Sequence, residues 1–206
     1  MTQLFDESGR VTPVTIVEAT PNTITQIKTM ATDGYKAVQV GFGTQKESRV
    51  TKAELGAAGG VAYQEIREFK LTDDSTPAVG EVVTVGSFAA GDEVIVSGTS
   101  KSKGFQGVVK RHGFHGGPRS HGQKHSEREA GSIGGGPGRA GGRVVKGMRM
   151  AGRTGGDTVT TRGLKVVAVD EVENKIYISG AVPGRRGTLI SIVGRSEEHT
   201  SELQSH

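Results

Sequence analysis

The sequence predicts a mainly β body, built as a small closed barrel or a sandwich, with one long basic segment inserted between strands. Three observations lead to this fold class. Val and Ile total 34 residues against 6 Leu, and β-branched side chains favour strands over helices. Short alternating apolar runs recur between turn residues along most of the chain. Glycine supplies 33 of the 206 residues and is concentrated in one basic region.

The first half of the chain predicts four strands and one helix. Alternating apolar positions predict strands at residues 14–19, 23–30, 35–40 and 63–71. Asp33-Gly34 is the two-residue signal of a tight hairpin between the second and third strands. The run Thr51-Lys-Ala-Glu54 fits a capping box, which predicts a short helix ended by the glycines at 56 and 59–60.

The second half of the chain predicts five further strands. They are expected at residues 82–88, 93–97, 157–170, 175–182 and 189–193. The turn residues Gly91-Asp92 predict that the first two of these strands form an antiparallel pair. Glu173-Asn174 predicts a turn between the third and the fourth.

Charge divides the chain into two parts. Residues 100–154, the basic extension, hold 12 Lys and Arg against 2 Asp and Glu, a net charge of +10. The other 151 residues hold 14 basic and 20 acidic side chains, a net charge of −6. The extension also contains 15 glycines and few large apolar residues, so it cannot bury enough surface to offset its chain entropy. We therefore expect a folded body that presents a cationic arm to a polyanion.

Composition excludes several classes of protein. The chain has no Cys, which rules out disulfides, thiolate metal sites and a thiol nucleophile. No run approaches the roughly 18 apolar residues of a membrane helix, so we expect a cytoplasmic protein that contacts no membrane. The absence of Trp and the total of nine aromatic residues argue against an enzyme with an aromatic-lined pocket and a small-molecule substrate.

Two patterns in the extension suggest chemistry that their surroundings do not support. His112, His115, His121 and His125 have spacings found in zinc sites, but the neighbouring Lys and Arg side chains oppose a dication. We expect no metal and no cofactor, and favour imidazoles that stack on bases or bind phosphates. The run GPGRAG at residues 136–141 matches a dinucleotide-binding fingerprint, but no strand precedes it and no helix follows, which indicates a chance match.

The cationic pattern itself predicts nucleic-acid binding. Lys and Arg neutralise phosphates, Gly lets the backbone approach them, and Phe105 and Phe114 are aromatic rings suited to unpaired bases. A solvated linker is the alternative, but a linker would not need so many unbalanced cations. The candidate RNA-binding residues are Lys101, Lys103, Phe105, Lys110, Arg111, His112, Arg119, His121, Lys124, Arg139, Arg143, Lys146, Arg149 and Arg153.

A series of motifs resembles the universal ribosomal protein L3 family of the large subunit, in its bacterial type. The motifs are FAAGDEVIVSGTSKSKGFQG at 88–107, VKR at 109–111, SHG at 120–122, GSIG at 131–134, RVVKG at 143–147, MAG at 150–152 and GAVPG at 180–184. The likeness runs from Met1 to about Val193. Such long motifs in a fixed order do not arise by chance.

The resemblance implies a small closed six-stranded β-barrel of the translation-protein type, with one short helix and a long inserted loop. The body would be residues 1–99 and 155–194. Residues 100–154 would thread through 23S rRNA toward the peptidyl transferase centre. Family members bind rRNA directly, help to nucleate assembly of the large subunit and touch neighbouring ribosomal proteins. The chain would then be a non-enzymatic part of the cytoplasmic ribosome. A free-standing nucleic-acid-binding or metal-dependent enzyme that uses the histidines is the alternative.

Three features depart from the family pattern. Relatives usually carry a short strand and a Gly before Met1-Thr2, so we expect that the chain is truncated at its front. Many bacterial relatives have a Gln, which can be methylated, where this chain has Gly135, so no modification is expected there. Residues 195–206, RSEEHTSELQSH, resemble the translation of a sequencing-adapter oligonucleotide, so we expect that they are an artefact rather than part of the fold.

Overall fold

A computed structural model describes residues 1–6, 8–71, 77–134 and 142–194. This part of the chain is mainly β, as predicted. Its helices are α1 (Lys52–Ala57) and α2 (Val108–His112), with 3₁₀ turns at Glu47–Arg49 and Val85–Ser87. Its strands are β1 (Thr2–Phe5), β2 (Val11–Glu18), β3 (Asn22–Lys28), β4 (Ala37–Thr44), β5 (Tyr63–Lys70), β6 (Val82–Val83), β7 (Glu93–Thr99), β8 (Gly104–Gln106), β9 (Gly152–Thr154), β10 (Thr158–Asp170), β11 (Lys175–Ser179) and β12 (Ile190–Gly194).

The strands form three sheets. The first has six strands in the order β1-β2-β11-β10-β7-β12, and the second has four in the order β5-β4-β3-β6. Strands β8 and β9 pair only with each other. Three neighbouring pairs of the first sheet are antiparallel: β1 with β2, β2 with β11, and β11 with β10.

Compact packing divides the described residues into two units. The first unit holds residues 1–95, 162–182 and 192–194, and the second holds residues 96–161 and 183–191. The core of the first unit consists of branched aliphatic side chains: Val14, Val94, Val166, Ile176 and Ile178 are at most 1% exposed. These residues come from alternate positions of their strands, so the period-2 pattern in the sequence is the pattern of burial.

The predicted closed barrel is wrong. The six-stranded sheet is open, with β1 at one edge and β12 at the other, and the four-stranded sheet is also open. A barrel needs its first and last strands to pair. Here β1 and β12 do not pair, and the strands are divided between sheets, with β6 paired to β3 at Asn22↔Val83 and Thr23↔Val82 rather than to β7. The predicted antiparallel pairing of residues 82–88 with 93–97 is wrong for the same reason.

Several local predictions are confirmed. The Thr51 hydroxyl accepts a hydrogen bond from the Glu54 amide at 3.3 Å, and the Glu54 carboxylate accepts one from the Thr51 amide at 3.0 Å, so the capping box opens α1. The pair Gly59-Gly60, rather than Gly56, follows the helix, with φ of 68° and 88°. Asn174, with φ of 51°, lies in the turn between β10 and β11.

Other local features differ from the expectation. Strands β3 and β4 do form a hairpin, but the connection runs from Thr29 to Lys36 rather than through a two-residue turn at Asp33-Gly34. The basic extension, which the sequence predicts to be a long loop, contains a second helix, α2, and the short strands β8 and β9. No helix among the described residues is long and apolar enough to cross a membrane.

One polar cluster joins β3, β5 and the β3–β4 connection. The Lys28 ammonium lies 2.7 Å from the Glu68 carboxylate on β5 and 2.9 Å from the Tyr35 hydroxyl, which itself donates to Glu68 at 2.9 Å. The hydrogen bond from Lys28, followed by that from Tyr35, lowers the pKa of the Glu68 carboxyl. The hydrogen bond to Glu68 correspondingly raises the pKa of Lys28.

We predict that Glu68→Gln lowers the melting temperature by a few degrees at pH 7 and progressively less in acid. A carboxyl with a lowered folded-state pKa contributes stability above its ordinary pKa and loses that contribution as the pH falls through the folded value. The variant and the parent should therefore differ fully above the ordinary pKa of Glu, about 4.3, and converge as the pH falls through the lower folded-state pKa of Glu68. Thermal unfolding followed by circular dichroism at several pH values measures this.

The matched control is Glu65→Gln on the same strand. Glu65 pairs only with the exposed Arg67, at 3.0 Å, and such isolated surface pairs contribute little. Equal effects of the two substitutions at every pH would contradict the role given to the Lys28–Tyr35–Glu68 cluster.

Candidate nucleic-acid interface

Both ends of the basic extension are held together by the β8–β9 ribbon. Its register pairs Gly104 with Thr154, Phe105 with Arg153 and Gln106 with Gly152. Beyond the strands, the Lys103 amide donates to the Thr154 carbonyl at 2.9 Å, and the Ser100 amide donates to the Asp157 carbonyl at the same distance. The ribbon thus closes the base of the extension. Residues 107–151 connect its two strands along the sequence.

A glycine makes this closure possible. Gly155 has φ of 73°, in the left-handed region that glycine adopts without strain. A Cβ atom at this position would lie 2.2 Å from the Lys101 carbonyl oxygen, far inside contact distance. Only glycine therefore allows the backbone that follows β9 to lie against the backbone that precedes β8.

Helix α2 adds a second brace to the same region. The Arg111 guanidinium donates to the Met150 carbonyl at 2.8 Å, and the His112 ring, through Nε2, donates to the same oxygen at 3.0 Å. Arg111 also lies over Gly152, where a Cβ would be 2.6 Å from its Nη1. These two predicted RNA-binding residues are half-buried, and their hydrogen bonds go to the protein's own backbone.

Most of the other predicted cations are exposed. Arg119 forms an ion pair with Glu127, with 3.3 Å between Nε and the carboxylate. Arg139, together with the GPGRAG run at 136–141, lies outside the described residues. The exposed cationic side chains are Lys101, Lys103, Lys110, Arg119, Lys124, Arg143, Lys146, Arg149 and Arg153. The described part of the extension therefore presents a largely unbalanced positive surface.

The two phenylalanines of the extension differ in their surroundings. Phe114 is half-buried, and its ring centroid lies 6.0 Å from that of His112. Phe105, on β8, is 76% exposed. Of the two rings that the sequence offers for stacking on bases, only the Phe105 ring stands largely free of its own protein.

The histidines do not form a metal centre in the described part of the chain. No group of three or more His, Asp and Glu side chains there is arranged to hold an ion. His115, His121 and His125 are exposed, whereas His112 bonds to Met150. An open cleft in the extension is lined by residues that include His115, Gln123, Glu129 and Arg149, but these side chains do not form an acid–base pair or a nucleophile with its base.

The structure also brings forward one group that sequence reasoning missed, the Ser102 hydroxyl, and places it beside the predicted Arg153. The Ser102 hydroxyl and the Arg153 guanidinium both face Gly156, where a Cβ would lie 2.9 Å from Oγ and 3.0 Å from Nη2. The only signal for this close approach in the sequence is the Gly155-Gly156 pair, two residues after Arg153. Such a pair is inconspicuous in a chain so rich in glycine.

Comparison with known proteins gives a consistent result. A family model described as "Ribosomal protein L3" matches residues 39–180. A protein of Herpetosiphon aurantiacus named "Large ribosomal subunit protein uL3" is 48% identical over 204 residues, which cover 98% of this chain and 95% of that protein. Proteins of the same name from Synechococcus and from a strain of Prochlorococcus marinus are 45% and 43% identical over 195 residues, covering 93% of this chain and 88% of each relative.

We predict that Gly155→Ala opens the base of the extension. The substitution combines an unfavourable left-handed backbone with a contact against the Lys101 carbonyl, and we expect it to lower the free energy of unfolding by about 1–3 kcal/mol. Hydrogen exchange should then show faster exchange of the Lys103 and Ser100 amides, whose partners lie across the ribbon.

Gly104→Ala is the matched control within the same ribbon. Gly104 has φ of 69°, but no heavy atom lies within 4 Å of its Cβ position. The left-handed backbone alone should lower the free energy of unfolding of this variant by about 1 kcal/mol. The Lys103 and Ser100 amides should exchange as slowly as in the parent. If the two variants exchange alike, the close approach at Gly155 is not what closes the ribbon.

Proposed function

The chain belongs to the ribosomal protein L3 family, and from this premise we propose that its basic extension is its principal contact with 23S rRNA. The protein is a structural component of the large ribosomal subunit and not an enzyme. Within that role, direct rRNA binding through residues 100–154 is the function that the site supports best.

The observation that carries the proposal is the separation of charge. The extension has a net charge of +10, the other 151 residues have −6, and nine of the predicted cations are exposed. Phosphate neutralisation by exposed Lys and Arg releases counterions from nucleic acid and supplies most sequence-independent affinity. The body, with the opposite net charge, lacks this source of attraction.

Three finer assignments belong to the same proposal. The extension (residues 100–154) reaches toward the peptidyl transferase centre, the body (residues 1–99 and 155–194) contacts neighbouring ribosomal proteins, and rRNA binding helps to nucleate subunit assembly. Family membership supports these assignments. The braced ribbon at residues 100–113 and 149–157 also supports the first, because a fixed base gives a long extension a defined starting direction.

The binding candidates now fall into two groups. The exposed cations are suited to phosphates. Arg111 and His112 act as positioning residues, because their hydrogen bonds to the Met150 carbonyl hold α2 beside the end of the extension. An enzyme that uses the histidines is the competing function, and no arrangement among the described residues favours it.

We predict that replacing Arg143, Lys146, Arg149 and Arg153 together with Gln weakens binding to 23S rRNA and flattens its dependence on salt. Each lost phosphate contact should reduce the slope of log K against log salt by about 0.7–0.9. Four losses reduce it by about 3. Filter binding of the full chain to a 23S rRNA transcript, from low to moderate salt, measures both quantities.

A charge-matched control replaces four exposed cations of the body with Gln: Lys46, Arg49, Lys52 and Lys70. This variant has the same net charge as the first but should keep the parent's salt slope. If both quadruple variants lose slope equally, net charge rather than the extension drives binding. If neither binds differently from the parent, the extension is not the principal RNA contact.

A further inference from the structure

The Phe105 ring occupies an unusual place for a large apolar side chain. It lies on a strand, yet 76% of it is exposed, although burying a phenylalanine ring normally stabilises a protein. The ring is directly opposite Arg153 in the ribbon register, and residues opposite each other stand on the same face. Phe105 and Arg153 therefore project from the same face of the ribbon.

The residues around this pair leave the ring uncovered. Gly104 precedes Phe105 and Gly107 follows β8, while Gly152 precedes Arg153 and Gly155 follows β9. None of these four has a side chain that can shield the ring. The ribbon is also held in place from both sides, by the Gly155 contact and by the Arg111 and His112 bonds to Met150. A flat, open and fixed aromatic surface is what stacking requires.

Arg153 does not stand alone. Its guanidinium and the Ser102 hydroxyl converge on the Cβ position of Gly156, within 3.0 Å and 2.9 Å of it. A guanidinium and a hydroxyl are both donors suited to phosphate oxygens. Residues directly opposite each other in an antiparallel pair have Cα atoms ~5 Å apart, so the side chains of Phe105 and Arg153 can reach the base and the phosphate of one nucleotide.

We propose that the β8–β9 ribbon holds one unpaired nucleotide of rRNA, with its base stacked on Phe105 and its phosphate bound by Arg153 and Ser102. This inference rests on the proposed function and names a particular contact within it. The base must be unpaired, because bases within a duplex stack on each other and leave no face for a protein ring.

The charges of the ribbon favour RNA over a protein partner. Residues 100–113 and 149–156 contain six Lys and Arg and no Asp or Glu. An apolar protein segment would cover Phe105 but would leave these cations without partners. A nucleotide satisfies both features, because its base is an aromatic face and its phosphate is an anion.

The first test uses the absence of Trp from the sequence. Phe105→Trp keeps an aromatic face and introduces the only Trp of the chain, so its fluorescence reports on that position alone. Titration with a 23S rRNA transcript should quench this fluorescence as the complex forms, because a stacked base contacts the indole. Val172→Trp is the control, since Val172 is 92% exposed and lies outside the extension, in the turn between β10 and β11. Its fluorescence should be unchanged.

The second test removes the ring. Phe105→Ala should weaken rRNA binding by about tenfold, within the range of one base–aromatic stack, and should leave the salt slope unchanged. Arg153→Gln should instead reduce that slope by about 1. The exposed position of Phe105 means that its loss should not unfold the chain, which circular dichroism verifies.

The outcomes separate this inference from the proposed function. If Phe105→Trp binds rRNA by filter assay but is not quenched, the extension binds RNA and the stacking contact is refuted. If the parent itself does not bind, the proposed function fails first. If Phe105→Ala binds naked rRNA as well as the parent but no longer co-sediments with large subunits, the ring contacts a protein, and the inference is overturned.

Discussion

The arrangement of the extension depends on one backbone contact, the approach of Gly155 to the Lys101 carbonyl. Residues 100–154 carry too few apolar side chains to build a core. Contacts at the base of the extension, rather than a core, therefore hold it in position. The contact at Gly155 permits the β8–β9 pairing, and the pairing brings the two ends of the extension together. The bonds from Arg111 and His112 to Met150 then fix α2 against the returning chain.

This arrangement divides the cations of the extension into two kinds. Arg111 is directed to a backbone carbonyl and contributes to the protein's own structure, whereas Lys101, Lys103 and Arg153 remain exposed beside it. A guanidinium suits the first role because its planar set of donors can satisfy a carbonyl in a fixed direction. In the proposed function, the hydrogen bond of Arg111 fixes the backbone that carries the exposed cations, and this lowers the entropy that those cations lose on binding phosphates.

The sequence predicted the parts of the structure that have a clear period or a local signature. Alternation identified β10 and β11, Asn174 identified their turn, and the capping box identified α1. It did not predict the pairing of β6, because two residues, Val82 and Val83, are too few to show which strand they join. The barrel prediction failed at the same point, since closure depends on long-range pairing rather than on local pattern.

The candidate site shows the same limit. Charge identifies the extension in the sequence. It does not show which Lys or Arg donates a hydrogen bond to the protein backbone, so the sequence alone does not separate Arg111 from the exposed cations. Strands β8 and β9 are not predicted from the sequence, because Gly-Phe-Gln and Gly-Arg-Thr are too short to show alternating apolar and polar residues. What placed Phe105 opposite Arg153 is a contact between residues about fifty positions apart. In the proposed function, charge attracts the extension to RNA, and the ribbon provides a fixed aromatic surface for one base. A uniformly flexible cationic chain would provide the attraction but no fixed aromatic surface.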